Sequence, residues 1–216
     1  MPPRSDPRPV TIRLDAGGQR ALEGVFVAGA SGRDSGALIA PPHPLYGGSM
    51  DSPVVGEIAW GCRRAGLASL AFNWRGVGAS WGEPTGALEA ADEDFRAAAE
   101  ELEESIAGPI VACGYSFGSA TAVRVARARR RVAKLVLVAP PPALLTRETL
   151  LGFEGPVLGI VGDRDDFAPR VELEALFAEL ARGRLVVVPG ADHFFQVGLR
   201  EISRSVEEWL GAPESA

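Results

Sequence analysis

The sequence has few of the features that mark metal-binding or membrane proteins. It contains only two cysteines and two histidines in 216 residues. Without a CxxC pair or a Cys/His cluster, no metal site is expected, and Cys62 and Cys113 are interpreted as buried, inert thiols. No apolar run approaches the roughly 18 residues of a membrane span. The proline-rich, polar N-terminus also lacks the apolar core of a signal peptide, so we expect a cytoplasmic protein with no membrane partner.

Basic residues are scarcer than acidic ones. The chain has 22 Lys plus Arg against 28 Asp plus Glu, and its net charge is −6. Nucleic-acid partners are therefore not expected, because binding them without sequence preference needs a basic surface. A chain of this length can build one sizeable core, and we expect a single domain over residues 1–216 with residues 1–9 as a flexible tail. The protein is expected to be a monomer or a homodimer.

Short apolar runs alternate with amphipathic segments along most of the chain. The first two strands, 10–14 and 21–28, have no helix between them and should pair antiparallel at one edge. The later runs predict a mostly parallel, twisted sheet with helices on both faces, which is an α/β fold. The predicted later strands are 37–40, 67–72, 110–113, 135–139, 157–161 and 185–188, and the predicted helices are 53–65, 88–106, 117–128, 171–181 and 199–210.

One serine lies where a strand should turn sharply into a helix. The segment Gly114-Tyr115-Ser116-Phe117-Gly118 fits the pattern G-x-S-x-G, which in this context indicates a nucleophile. Glycine is needed on both sides of the serine because a Cβ there would collide with the turned backbone. The N-terminus of the new helix points its N–H groups at the same place, and the Phe117 N–H is a natural donor to an oxyanion.

A serine nucleophile needs a base, and the base needs an acid to orient it. His193 follows the last predicted strand and should lie on the same sheet edge as Ser116, where ligands of such sheets collect. The loop after strand 157–161 offers Asp163, Asp165 and Asp166 as the acid. Asp192 is too close to His193 along the chain to reach its ring. The residues alone leave Asp163 and Asp165 as equal alternatives.

Taken together, these segments resemble the α/β-hydrolase superfamily, whose order of serine, acid and histidine along the chain is found here. Within it, the chain is most similar to small, lidless bacterial hydrolases of the dienelactone-hydrolase and esterase kind. The likeness extends from about residue 10 to 210. It is carried by the serine turn and by segments 43–51, 73–80 and 190–195.

The resemblance implies roles for further residues. The family's acid loop reads Gly-x-x-Asp-x-x-Val-Pro, and Asp165 falls on its acid position. Relatives take a second oxyanion donor from the residue after a His-Gly pair. Here Pro44 has no N–H to give, so Leu45, or else Tyr46, should donate, while His43 supports the loop. Aromatic residues that could line the pocket are Tyr46, Tyr115 and Trp74, together with Phe117, Trp81 and Phe194.

The activity implied is that of a serine hydrolase, most simply a carboxylesterase that forms an acyl-enzyme on Ser116. No metal or organic cofactor is needed, and the partner is a small acyl substrate. The stretch 140–156 is too short for a cap domain, which favours small or short-chain esters. Thioesterase, amidase and peptidase activities on the same residues are alternatives. So is a non-catalytic binding protein, because fold alone does not fix function.

Overall fold

The structure, a computed structural model, describes residues 6–30 and 34–212. Within these ranges the chain forms eight strands and six α-helices. The strands are β1 (Arg8–Arg13), β2 (Ala21–Val27), β3 (Gly36–Ala40), β4 (Ala68–Phe72), β5 (Ile110–Tyr115), β6 (Val132–Val138), β7 (Val157–Gly162) and β8 (Gly183–Val188). The helices are α1 (Pro53–Arg64), α2 (Leu88–Ser105), α3 (Phe117–Ala126), α4 (Arg147–Leu151), α5 (Arg170–Ala178) and α6 (Leu199–Gly211).

The strands form one sheet in the order β1-β2-β4-β3-β5-β6-β7-β8. From β4 to β8 every neighbouring pair is parallel, whereas β2 is antiparallel to both β1 and β4. The predicted mostly parallel sheet with an antiparallel N-terminal edge is therefore confirmed. In this topology the carboxyl ends of β3, β5, β6, β7 and β8 share one edge, so the loops that follow them lie together.

Burial explains why these segments become strands and helices. Every residue of β3, β5 and β7 is buried, as expected for central strands covered on both faces. Two helix pairs cover the sheet, α1 with α6 and α2 with α3. The helix α2 buries Phe95, Ala98 and Leu102, while most of its glutamates remain on the outer side.

The element boundaries differ from the predicted ones in several places. β1 begins at Arg8, so residues 8 and 9 belong to the sheet and not to a flexible tail, while residues 1–5 of that predicted tail lie outside the described ranges. β6 begins three residues before the predicted strand. The short helix α4 and a 3-10 helix at Pro44–Tyr46 were not predicted, because neither carries a full turn of apolar periodicity.

The two thiols are buried, as predicted, and they are neighbours. Cys62 on α1 and Cys113 on β5 have their Sγ atoms 4.0 Å apart. Burial raises the pKa of Cys113 well above its ordinary value, and the Cys62 thiol contributes in the same direction. This thiol is therefore kept in its unreactive protonated form.

Across the described residues, no helix is both long enough and apolar enough to cross a membrane. The same part of the chain holds no cluster of three His, Cys, Asp or Glu side chains that could bind a metal ion.

Candidate active site

Ser116 lies on a strained turn between β5 and α3. Its φ of 53° and ψ of −117° are rare for a residue with a side chain, and such strain is retained where the surrounding structure enforces it. The Ser116 N–H donates to the Val138 carbonyl of β6 at 2.9 Å. The Ser119 hydroxyl donates to the carbonyls of Gly114, at 2.8 Å, and Val138, at 3.2 Å. These bonds hold the turn rigid at the centre of the sheet edge.

The glycines on either side of Ser116 are required by contact with backbone atoms. A Cβ at Gly114 would lie 2.3 Å from the backbone of Gly118, and one at Gly118 would lie 2.5 Å from the Ala40 carbonyl oxygen. The segment therefore closes on itself and on β3 at van der Waals distance. This agrees with the glycine requirement inferred from the sequence.

Replacing Gly114 with Ala is expected to lower the free energy of unfolding by about 3 kcal/mol, since backbone must move to admit the methyl group. Urea denaturation followed by far-UV circular dichroism measures this. Gly56→Ala on α1 is the matched control, because a Cβ there meets nothing within 4 Å. The control should be neutral or slightly stabilising, as Gly-to-Ala changes in helices are. Equal stability of Gly114→Ala and wild type would contradict the close packing of the turn.

The structure brings Ser116, His193 and Asp165 together in one hydrogen-bonded chain. The Ser116 Oγ is 2.9 Å from Nε2 of His193, and the Nδ1 of the same ring is 2.9 Å from both carboxylate oxygens of Asp165. A carboxylate can only accept, so Nδ1 carries the hydrogen and Nε2 is left to accept from the serine hydroxyl. All three side chains are buried or nearly so. This arrangement can make the serine oxygen nucleophilic.

The geometry distinguishes Asp165 from Asp163. Backbone N–H groups of Phe167, at 2.9 Å, and Ala168, at 2.8 Å, donate to Oδ1 of Asp165 and hold its carboxylate against His193. Asp163 instead accepts from the Gly190 N–H at 2.6 Å, which ties its loop to the turn that leads to His193. Asp165 thus contacts the imidazole, and Asp163 supports the loop.

Tyr115, predicted to line the pocket, is a buried residue at the end of β5. Its side chain is 4% exposed because β5 is covered on both faces. The hydroxyl donates to the backbone carbonyl of His193 at 3.0 Å. Burial raises the pKa of Tyr115, and the charges of Asp165 and Asp192 add to the effect, so the phenol stays protonated and able to donate. Its contact therefore braces the histidine loop from within the core.

Trp74, also predicted to line the pocket, is 2% exposed. Its indole N–H points inward and donates to the carbonyls of Pro41, at 3.2 Å, and Pro42, at 3.0 Å. It thereby fixes the loop that follows β3. Tyr46, the third predicted pocket residue, is 86% exposed, and its ring contacts His43 with their centroids 4.7 Å apart.

The two predicted oxyanion donors differ in their present hydrogen bonding. Among the described residues, none accepts from the Phe117 N–H, which opens α3 beside Ser116. The Leu45 N–H donates to Nδ1 of His43 at 3.2 Å, and the Tyr46 N–H donates to the His43 carbonyl. Burial lowers the pKa of His43, which favours the neutral ring that can accept this bond. Leu45 would have to exchange this partner to bind a substrate oxygen.

Two residues at this edge, Ser119 and Phe167, were not predicted from the sequence. Ser119 anchors the serine turn through its hydroxyl, but a serine one helical turn after the nucleophile carries no distinctive signal. Phe167 lies against the ring of His193 with the centroids 4.9 Å apart. Its position two residues after Asp165 was the available signal, because Asp165 must contact His193 and a nearby side chain in the same loop can then reach the imidazole.

Comparison with known proteins identifies the family of this chain. The family described as alpha/beta hydrolase fold matches residues 45–153, half of the chain. This chain belongs to the α/β-hydrolase family. The prediction of that family from the sequence is thereby confirmed, and the match supports hydrolase activity.

Solved structures of this family include lidless relatives of the chain. An α/β serine hydrolase homologue from Coxiella burnetii is 29% identical, with a TM-score of 0.80 over 94% of this chain and 97% of that one. A serine hydrolase without a lid from Xanthomonas campestris is 25% identical, with a TM-score of 0.79 over 99% and 98%. A dienelactone hydrolase from Anabaena variabilis shares the fold at 21% identity, with a TM-score of 0.74 over 96% and 97%.

Proposed function

We propose that this α/β-hydrolase is a serine carboxylesterase that acts on small or short-chain esters through an acyl-enzyme on Ser116. The observation that carries the proposal is the 2.9 Å contact between the Ser116 hydroxyl and Nε2 of His193 on the strained turn. A buried imidazole with Nδ1 held by a carboxylate accepts a proton at Nε2 and is stabilised once charged. Such an arrangement has a clear use in acyl transfer and little use in a passive binding protein.

The proposed reaction assigns a group of this chain to each step. Ser116 Oγ attacks the ester carbonyl carbon while His193 Nε2 takes its proton. The Phe117 N–H donates to the carbonyl oxygen as it becomes negative, and the α3 N-terminus adds to the stabilisation. His193 then gives the proton to the departing alcohol, which leaves an acyl group on Ser116. Water, deprotonated by His193 Nε2, attacks the acyl carbon. The bond from that carbon to Ser116 Oγ then breaks as His193 returns the proton to Oγ, which releases the acid and regenerates the serine.

The uncovered carboxyl edge of the sheet favours substrates with a small acyl group. Between β6 and β7, where a cap could be inserted, the chain forms only the short helix α4. Leu45 and Tyr46, on the loop after β3, are exposed. The neighbour from Xanthomonas campestris is likewise described as lacking a lid. A cap domain is one way to enclose a long acyl chain, so a site without one favours a short chain.

Hydrolysis of p-nitrophenyl acetate, butyrate and octanoate tests the proposal. We expect kcat/KM to fall from acetate to octanoate, because the longer chain gains no enclosed surface. A fluorophosphonate probe should label the wild-type protein, and peptide mass spectrometry should place the label on Ser116. A protein that hydrolyses none of these esters and resists the probe would be better explained as a binding protein. A protein that takes the label but spares all three esters would indicate another acyl bond.

A further inference from the structure

Two exposed aromatic side chains lie against the imidazole of His193. The ring of Phe167 has its centroid 4.9 Å from that of His193, and the ring of Phe194 is 5.6 Å away at 88°. The two phenyl rings are 6.5 Å apart and inclined at 73° to each other. They are nevertheless 62% and 61% exposed, so each presents a broad apolar face to solvent. We call this pair, Phe167 and Phe194, the aromatic rim.

The backbone of the aromatic rim is held by the loops that hold the acid and the base. The Phe167 N–H donates to Asp165 Oδ1 at 2.9 Å, and the Phe194 N–H donates to Asp192 Oδ1 at 3.1 Å. Single exposed apolar side chains are common and need no explanation. Two rings from different loops that converge on one imidazole form a contiguous apolar patch, and such patches mark binding surfaces.

The contact of the aromatic rim with His193 indicates which part of an ester substrate the rim would meet. The inference rests on the proposed esterase reaction. When the tetrahedral intermediate collapses, the bond between the carbonyl carbon and the alkoxy oxygen breaks, and that oxygen takes the proton from His193 Nε2. The departing alcohol must therefore lie within hydrogen-bond reach of this ring. Side chains in contact with His193 consequently flank the alcohol part of the substrate, whereas the Phe117 N–H faces the carbonyl oxygen.

We propose that the aromatic rim binds the alcohol part of the substrate, and that the preferred substrates are esters of alcohols carrying an aromatic ring. The two phenyl groups offer faces and edges but no hydrogen-bond donors or acceptors. They therefore suit a neutral, flat group that packs edge-to-face or offset, at centroid separations of about 4.5–7 Å. The acyl group lies elsewhere, so selection for an aromatic alcohol is compatible with a short acyl chain.

Three acetates test this selection: benzyl acetate, cyclohexylmethyl acetate and allyl acetate. They share one acyl-enzyme, so differences in kcat/KM report only the alcohol part. We expect benzyl acetate to exceed cyclohexylmethyl acetate on the order of fivefold, the size of an aromatic pair contact. Phe167→Leu, Phe194→Leu and the double variant should bring this ratio toward one, because leucine keeps apolar bulk and loses the ring. Trp60→Leu, an exposed aromatic on α1, is the control and should keep the wild-type ratio.

Inhibition of the wild-type protein gives a second measurement that needs no variant to fold. Benzyl alcohol should compete with allyl acetate more strongly than cyclohexylmethanol does. The decisive quantity is the ratio of kcat/KM for benzyl acetate to that for cyclohexylmethyl acetate. A ratio of one in the wild type, or a ratio unchanged in the double variant, would overturn the proposal for the aromatic rim and leave the esterase proposal intact. Failure to hydrolyse any of the three acetates would overturn the proposal for the aromatic rim, and it would overturn the esterase proposal too if the p-nitrophenyl esters also remained intact.

Discussion

Replacing Ser116 with Ala is expected to lower kcat for p-nitrophenyl acetate on the order of 10⁶-fold, because the attacking oxygen is lost. The variant should fold, since the backbone bond from residue 116 to the Val138 carbonyl does not involve the side chain. Its melting temperature, followed by circular dichroism, should stay close to that of wild type. Activity and stability measured on the same preparation separate loss of chemistry from loss of fold.

Ser203→Ala is the matched control for this change. Ser203 is a half-buried serine on α6, away from the triad, whose hydroxyl donates to the Arg200 carbonyl at 3.1 Å. Its removal should leave both kcat and fluorophosphonate labelling at wild-type levels. Activity that persisted in Ser116→Ala would refute the assignment of the nucleophile.

Replacing Asp165 with Asn should lower kcat by about 10⁴-fold. The amide keeps the size of the carboxylate but can donate to Nδ1. That would place the ring hydrogen on Nε2, where it blocks acceptance from Ser116. The imidazolium formed during attack also loses its countercharge. Steady-state kinetics on p-nitrophenyl acetate, with binding of the fluorophosphonate probe as a second readout, measure the effect.

Asp163→Asn is the matched comparison, because it shows which of the two aspartates acts as the acid. Asparagine can still accept from the Gly190 N–H, so kcat should change by no more than about threefold, and the main effect should be a small loss of stability. The opposite outcome, with Asp163→Asn inactive and Asp165→Asn active, would transfer the role of the acid to Asp163.

The parts of the molecule that could be predicted from the sequence are those fixed by local constraints. The strands β3, β5 and β7 are buried along their whole length, so unbroken apolar runs predict them. The turn at Ser116 could be predicted because only glycine fits at positions 114 and 118. His193 could be placed on the same edge because strands that run in parallel end together.

The parts that could not be predicted depend on the direction of side chains in loops and at strand ends. Asp163 and Asp165 lie in one loop, and only the fold of that loop decides which carboxylate faces His193. Trp74 and Tyr115 were expected in the pocket but point into the core, because aromatic residues at strand ends have no periodicity that reveals their side. The bond between Leu45 and His43 depends on a 3-10 helix that the sequence does not indicate.

The sheet position of β8 has a consequence for how activity is lost. Ser116 follows β5, which is bonded on both sides. His193 follows β8, which lies at the margin of the sheet and, among the described strands, is bonded to β7 alone. Margins of a fold fray before its interior does. On warming, the loop after β8 can therefore unfold first and carry His193 away from Ser116. The serine turn and most of the sheet are still folded at that point. Thermal inactivation would then be a local event at one border of the protein, separate from melting of the core.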